Sequence, residues 1–427
     1  MKPTKTNHNQ GQLFEQRLSD MLNPNHELCI LAGLIKWDEM DEKFSLLFTA
    51  EEGSPAKPVR LMVGIMLLQN MYKLSDEAVV ERWVENPYWQ LFCGYDFLQW
   101  RFPIHPTSLT RWRKRMGADA LEKVLCFLID TARVSGAVKN SSLKKVIVDT
   151  TVMPKAIAHP SDAQLYLKSI KQLVAFAKKE KIALRQTYER LAPRACRNAG
   201  RYFHLKKSKL GMKEVKRLKR YCMKVYREIL QAATEDPILQ KRITPVFFVI
   251  GEILIQTTDS KNKVYSLHEP RVECIAKGKA NKKYEFGNKA SITVTHREGF
   301  VIGIQGLHGN PYDGHTLSCA LAQAEKLTRQ KIEEAFVDKG YKKHGVTNCK
   351  VFISGTKKGL TRRNQLDLKR RQAIEPHIGH MKSDGKLGRN FLKGILGDQM
   401  HALLCGLGHN MRLLINFIKG KQVLCSG

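Results

Sequence analysis

The chain has 427 residues, with 72 Lys and Arg against 40 Asp and Glu and a formal net charge of +32; so large a basic excess points to a polyanionic partner, because each neutralised phosphate releases counterions. No apolar run reaches the roughly 18–20 residues of a membrane span, Val246-Phe247-Phe248-Val249-Ile250 being soon interrupted by Glu252, and no secretory leader is expected at the start. The ten cysteines include no Cys-x2-Cys pair, which argues against a zinc finger and for reduced thiols in a cytosol.

Within residues 1–55, polar at first, only the stretch near Leu28 to Trp37 reads as a short helix. From Pro58 helical signals dominate: Leu61-Met62-Val63-Gly64-Ile65-Met66-Leu67-Leu68 is apolar, Ser75-Asp76 supplies an N-cap, and Ala78 to Trp89 continues the helix. His105-Pro106-Thr107-Ser108 offers another cap, to a short helix bearing Arg111, Arg113, Lys114 and Arg115. In a trihelical reading unit these cations lie near phosphates or base edges; in a solvated basic helix they only face water. An amphipathic helix from Ala118 to Val134, closed by Gly136, follows.

Lys144-Lys145-Val146-Ile147-Val148-Asp149-Thr150-Thr151-Val152 reads as a buried strand ending in an acid, since its β-branched residues favour an enclosed pleated backbone. Asp149 is thereby placed outside a strand end, where α/β sheets hold their chemistry. A lone acid there caps a turn just as readily, so further acids are needed. The next comparable one, Asp338, lies 189 residues on, farther than a compact core uses, and an insertion is expected over 163–250. There Leu165 to Tyr188 and Met212 to Ala233 carry helical periodicity, linked by the polar, Arg-rich stretch 193–201. Residues 168–228 hold 20 Lys and Arg against 4 Asp and Glu, a net of +16 and half of the chain's excess. A solvated helical pair needs balanced charge at i, i+4 spacing. Lys213, Lys216, Arg217 and Arg220 are therefore expected to lie along a phosphate backbone, with contacts blind to sequence.

Beyond the insertion, 284–296 and 299–307 read as a hairpin turning at Arg297-Glu298-Gly299. Asp313-Gly314-His315 precedes a helix from Thr316 to about Gln330, and Glu333-Glu334-Ala335-Phe336-Val337-Asp338 is a second short apolar run ending in Asp. A strand at 350–354, a Gly- and Lys-rich turn and a helix then return Glu375 to the sheet, 37 residues after Asp338. Pro376 disfavours helical geometry at Glu375, so this acid is expected at a kink or a helix start. His401 to Ile418 reads as an amphipathic helix covering the sheet, with His401 and His409 as packing or surface residues.

Three carboxylates on two strand ends and a helix can hold two hard divalent cations about 3.5–4 Å apart for in-line displacement at phosphorus. In these residues the chain resembles the DDE transposases of bacterial insertion sequences, of the insertion-sequence family five type. Their last-helix signature, Tyr-x2-Arg-x3-Glu-x6-Lys, is matched by Arg371, Glu375 and Lys382, with Leu368 in place of the Tyr. Further matches are Asp149-Thr150-Thr151-Val152, His159-Pro160-Ser161-Asp162, Tyr284-Glu285-Phe286-Gly287-Asn288-Lys289 and Asp338-Lys339-Gly340-Tyr341, which together span most of the chain.

The resemblance implies an α/β fold with an RNase H-like mixed sheet: an N-terminal helical DNA-binding domain at 1–135, the core's first part at 136–162, the basic helical insertion at 163–250, and the core's second part at 251–427. It implies a transposase that binds its element's ends, cleaves DNA and joins the 3′ end to target DNA. Asp149, Asp338 and Glu375 would be catalytic and hold two Mg2+ ions, which Mn2+ can replace, and Arg371 and Lys382 would grip end-DNA phosphates. The expected setting is a bacterial cytoplasm, at the nucleoid, with double-stranded DNA (terminal inverted repeats and target) as partner and a homodimer assembled on it. The alternatives are a metal-dependent nuclease without strand transfer and a catalytically silent DNA-binding regulator. His377 and His380 lack a third nitrogen or sulfur ligand for zinc, and Asp313 with His315 reads first as turn chemistry rather than an acid/base pair.

Overall fold

In the computed structural model the residues described are 15–47, 56–243, 245–279, 282–356 and 359–425. The first 14 residues, where a leader would be sought, and two residues of the Gly- and Lys-rich turn at 357–358 lie outside them. They form two compact units, one of residues 1–154 with 288–427 and the other of Lys155–Gly287.

The first unit is built on strand β1 (Lys145–Pro154). Val146, Ile147 and Val148 are all buried, as in a strand covered on both faces rather than one alternating between core and water. With β2 (Glu273–Lys279) belonging to the second unit, the other strands are β3 (Lys282–Thr295), β4 (Val301–Leu307), β5 (Glu334–Val337) and β6 (Lys350–Ile353). The order across the first unit's sheet is β4-β3-β1-β5-β6. β3 and β4 are antiparallel from Lys289↔Leu307 to Val294↔Val301. β5 is parallel both to β1, with Ile147 opposite Phe336, and to β6. The sheet is therefore mixed and the class α/β. Gly299 makes the β3–β4 turn at φ +75°, a conformation that favours glycine.

Helices enclose this sheet. The long C-terminal helix Gly394–Cys425 packs on β4, on helix Thr107–Val134 and on helix Val59–Met71. Helix Asp313–Thr328 also packs on β4. One continuous hydrophobic core joins Leu61 and Leu67 of the N-terminal helices, Val146 and Ile302 of the sheet, and Leu403 and Leu414 of the last helix. The N-terminal helices thus share the sheet's core and are not packed apart from it. Ser75 caps its helix by accepting from the amide of Ala78 at 3.1 Å. Thr107 and Ser108 do not cap theirs: His105 Nδ1 accepts from the Thr107 amide instead, at 3.3 Å. Gly117 interrupts Thr107–Val134 with φ +64°, separating the cationic turn from the amphipathic length that follows.

The second unit contains helices Asp162–Lys179, Leu191–His204, Ser208–Glu235, Pro237–Arg242 and Pro245–Ile255. Its own core includes Leu173, Ala195, Leu218, Cys222 and Ile250. Two differences from the sequence reading have simple causes. The Arg-rich link over 193–201 is itself helical, because Pro193 falls in the first turn, where no amide bond is lost, and Ala192, Ala195, Cys196 and Ala199 line one buried face. The unit is also wider than 163–250, because β2 pairs antiparallel with the first residues of β3, Glu273 opposite Gly287, and so draws 251–287 into it.

Candidate functional site

Asp149 is the fifth of ten residues in β1 rather than its end: the strand continues because β3 lines its other edge after β5 has stopped at Val337. Asp338 does follow a strand end, directly after β5 and at the start of the 3₁₀ turn Lys339–Tyr341. Glu375 lies in the first turn of helix Ile374–Ser383, which follows a 3₁₀ turn at Arg371–Ala373. Pro376 is thus tolerated, since amides of a first helical turn have no intrahelical partner to lose.

Several bonds fix that segment against the sheet. Thr361 caps helix Arg362–Arg370. Lys145, the first residue of β1, pairs with Asp367 Oδ2 at 3.2 Å and with Glu334 Oε2 at 2.5 Å. Arg370 donates to the carbonyls of His296 and Arg297 at 3.1 and 2.8 Å. The next residue, Arg371, is thereby held under the acids. Its Nη1 is 3.7 Å from Asp149 Oδ2, and its Nη2 is 3.7 Å from Asp338 Oδ1 and 3.8 Å from Glu375 Oε1. The structure therefore brings the three acids together around one guanidinium. Side-chain exposure rises from 8% at Arg371 through 20% at Asp149 and 50% at Asp338 to 68% at Glu375, so the group opens outward from a buried cation.

Burial dominates the electrostatics of Asp149, whose pKa is raised to about 6. The Thr150 amide, donating to Asp149 Oδ1 at 2.8 Å, and Arg371 both favour the carboxylate; the charges of Asp338 and Asp313 oppose it. Tyr341 is buried, and desolvation together with Asp149, Asp313 and Asp338 keeps its phenol protonated. Asp313, the first residue of its helix, is paired with Lys289, whose Nζ is 3.0 Å from Asp313 Oδ1 and 3.0 Å from the carbonyl of Pro311. Sequence spacing does not reveal this pair: Lys289 belongs to the Tyr284–Lys289 motif, whereas Asp313, 24 residues away, reads as turn chemistry. Asp398, which no sequence motif marks, is a buried carboxylate that accepts from Asn288 Nδ2 at 2.5 Å and Asn390 Nδ2 at 2.6 Å. The Asn390 amide in turn donates to the carbonyl of Pro154 at 2.7 Å, which ties β1 and β3 to the last helix.

The remaining expected site residues lie apart from the acids or are differently engaged. Lys382 and Arg113 line a cavity of about 640 Å³ with Lys73, Lys386 and Arg389. Arg113 is paired there with Asp76 at 2.5 and 2.8 Å, a fixed ion pair rather than a cation directed at solvent. Arg111, Lys114 and Arg115 are exposed. In the second unit Lys213, Lys216 and Arg220 line one face of helix Ser208–Glu235, and Arg217 is drawn to Glu214 at 3.1 Å. Leu368, where the resembling family has Tyr, packs against the core. His377 packs against Gly299 and stacks edge-on with His409, whereas His380 pairs with Asp384 at 2.6 Å. The two rings have different partners. Among the described residues no three His, Cys, Asp or Glu side chains close on one point as a metal cage.

Comparison with known proteins adds two findings. A family model described as "Transposase domain (DUF772)" matches residues 16–115, the helical segment that carries Arg111, Arg113, Lys114 and Arg115. A protein of Rhizobium meliloti described as "Uncharacterized protein ORF8 in nfe locus" is 49% identical over 204 residues, covering 48% of this chain and 98% of that protein. No solved structure matches the chain, and no helix among the described residues is long and apolar enough to cross a membrane.

Proposed function

We propose, since residues 16–115 match a transposase domain and the chain belongs to one family with the Rhizobium meliloti protein, that it is a DDE transposase: it binds the ends of its element, cleaves DNA by metal-dependent phosphoryl transfer and joins the freed 3′ hydroxyl to target DNA. The observation that carries this reading is the convergence of Asp149, Asp338 and Glu375 on Arg371, from segments separated by 189 and 37 residues. An RNase H-like core is supported by the order β4-β3-β1-β5-β6, with its antiparallel β3–β4 pair and parallel β1–β5–β6 set.

The donor set suits a hard divalent cation by its chemistry, being three carboxylates with no soft ligand among them; the three converge on the Arg371 guanidinium rather than on one point of their own, so holding a metal requires that Arg371 turn away. Asp149, Asp338 and Glu375 would hold Mg2+, or Mn2+ in its place, which when bound supplies an activated nucleophile and charge neutralisation at phosphorus. Asp149 is a carboxylate above about pH 6 and a weaker donor below it. Arg371 balances the acids before DNA arrives, and its planar fork is suited to a phosphate once it turns from them. Lys382 adds a point charge for the same end. Lys289 holds Asp313 beside the acids, which limits their mutual repulsion.

The partner in this reading is double-stranded DNA, as terminal inverted repeats and as target, held by a homodimer in the bacterial nucleoid. Helical residues of 1–135 would read the element's ends through phosphates or base edges, and the basic face of 163–250 would supply sequence-blind phosphate contacts. The test incubates purified protein and Mg2+ with labelled duplexes spanning the junctions of its element and a target plasmid. Joined products are expected. Hydrolysis without joining would favour a nuclease, and binding without cleavage a silent regulator.

A further inference from the structure

The helices Leu191–His204 and Ser208–Glu235 meet in a tight turn. Its backbone is fixed by the Lys207 amide donating to the Tyr202 carbonyl at 2.8 Å and by Lys206 at φ +55°. Four apolar side chains stand out from this tip: Leu205 is 57% exposed, Met212 47%, Leu210 44% and Phe203 43%. The arrangement is built, because the Phe203 ring lies over Gly211, where an added Cβ would approach it to 2.8 Å. Around these residues Arg201, Lys206, Lys207, Lys209 and Lys213 are exposed, and no Asp or Glu occurs from 201 to 213.

A phosphate clamp needs cations but no exposed Leu, Phe or Met, and a solvated spacer has no use for four apolar side chains at its turn. Apolar residues ringed by cations are the combination with which proteins enter the minor groove, unstacking a base step while lysines hold the flanking phosphates. We propose that this tip is a DNA wedge, with Leu205 and Leu210 entering a base step and the surrounding cations holding both strands. The inference rests on duplex DNA being the partner, and it adds that the bound duplex is bent and locally unstacked here.

The test uses the full chain, a short duplex carrying a donor and an acceptor dye at its ends, and a second duplex with 2-aminopurine at successive positions. Wild-type protein is expected to raise end-to-end transfer and 2-aminopurine emission. Leu205→Gln with Leu210→Gln should lose most of both signals while keeping the salt dependence of binding. Leu205→Met with Leu210→Met should retain them, which separates the wedge from simple misfolding. Lys207→Gln with Lys209→Gln and Lys213→Gln should flatten the slope of log affinity against log salt by up to about 0.9 per lost contact. Unchanged bending in the Gln pair would overturn the wedge, as would preference for anionic phospholipid vesicles over duplex, or a dimer that only the apolar residues sustain. Failure of every variant and of wild type to bind duplex would instead overturn the DNA-binding reading beneath it.

Discussion

The acid cluster and the basic helix Ser208–Glu235 handle charge in opposite ways. In the cluster three acids from distant segments converge on a single buried guanidinium, and the ionisation of Asp149 responds to both Arg371 and Asp338. Along the helix, Lys209, Lys213, Lys216, Lys219 and Arg220 share one face with Met212 and Met223 and repeat locally. The sole acid among them, Glu214, is buried and engaged by Arg217. Convergence makes a site that is sensitive to every member. Repetition makes a surface whose members add up and are individually expendable.

The comparison is most sharply tested at the acids. Asp149→Asn, Asp338→Asn and Glu375→Gln are each expected to abolish cleavage while duplex binding persists, because loss of a carboxylate lessens repulsion of phosphate. Near wild-type cleavage by any one of them would remove that residue from the site. The opposite behaviour is expected of the helix. Lys213→Ala, Lys216→Ala, Arg217→Ala and Arg220→Ala combined should flatten the salt dependence of binding by up to about 0.9 in slope per lost contact, each single variant giving only its own share while cleavage persists. Arg217 is expected to contribute least, since Glu214 already holds it. A quadruple variant with the wild-type slope would return this face to the role of a soluble spacer.

Arg371 and Lys382 lie between these extremes. Replacing either by Ala should weaken engagement of the cleaved end by about 1–3 kcal/mol, as for a lost charge-assisted hydrogen bond, with random duplex affected less. Equal losses on both DNAs would mark them as general phosphate contacts. Arg371→Ala carries a second expectation: the guanidinium favours the charged form of Asp149, so its removal should move the acid limb of the pH–rate profile to higher pH.

Much of the fold was legible because its signals are local. The apolar run before Asp149, the Ser75 cap, the glycine turn at Gly299 and the amphipathic stretch closed by Gly136 each need only a few neighbouring residues. The basic face of helix Ser208–Glu235 was legible for the same reason, as it repeats at helical spacing. The helix Leu191–His204 was not, because Arg and Pro disguised a face formed by small residues. At the site, the spacing of Arg371, Glu375 and Lys382 identified the segment, but no spacing reveals that one guanidinium reaches all three acids while Lys382 lines a separate cavity. Lys289–Asp313 and the Asn288–Asp398–Asn390 network were hidden for the same reason, since tertiary folding alone makes them neighbours.

The smallest expected effect is on stability, and it follows from the convergent site's reliance on burial. The folded-state pKa of Asp149 is about 6 against an ordinary value of 3.8, with burial the leading cause. The folded chain therefore binds this proton more tightly than the unfolded chain does. The associated stability is complete below about pH 4, declines as pH rises, and is lost once Asp149 ionises above about pH 6. At pH 8 wild type carries a buried charge that Arg371 only partly offsets. Asp149→Asn removes that charge at nearly the same volume, so the inactive variant should be more stable than wild type at pH 8, by on the order of 1–2 kcal/mol. The difference should shrink through pH 6 and vanish near pH 4. Denaturant melts of the two proteins across that range measure it. A variant less stable at pH 8, or a difference independent of pH, would mean that Arg371 outweighs burial at Asp149 and that the acids stabilise the fold rather than strain it.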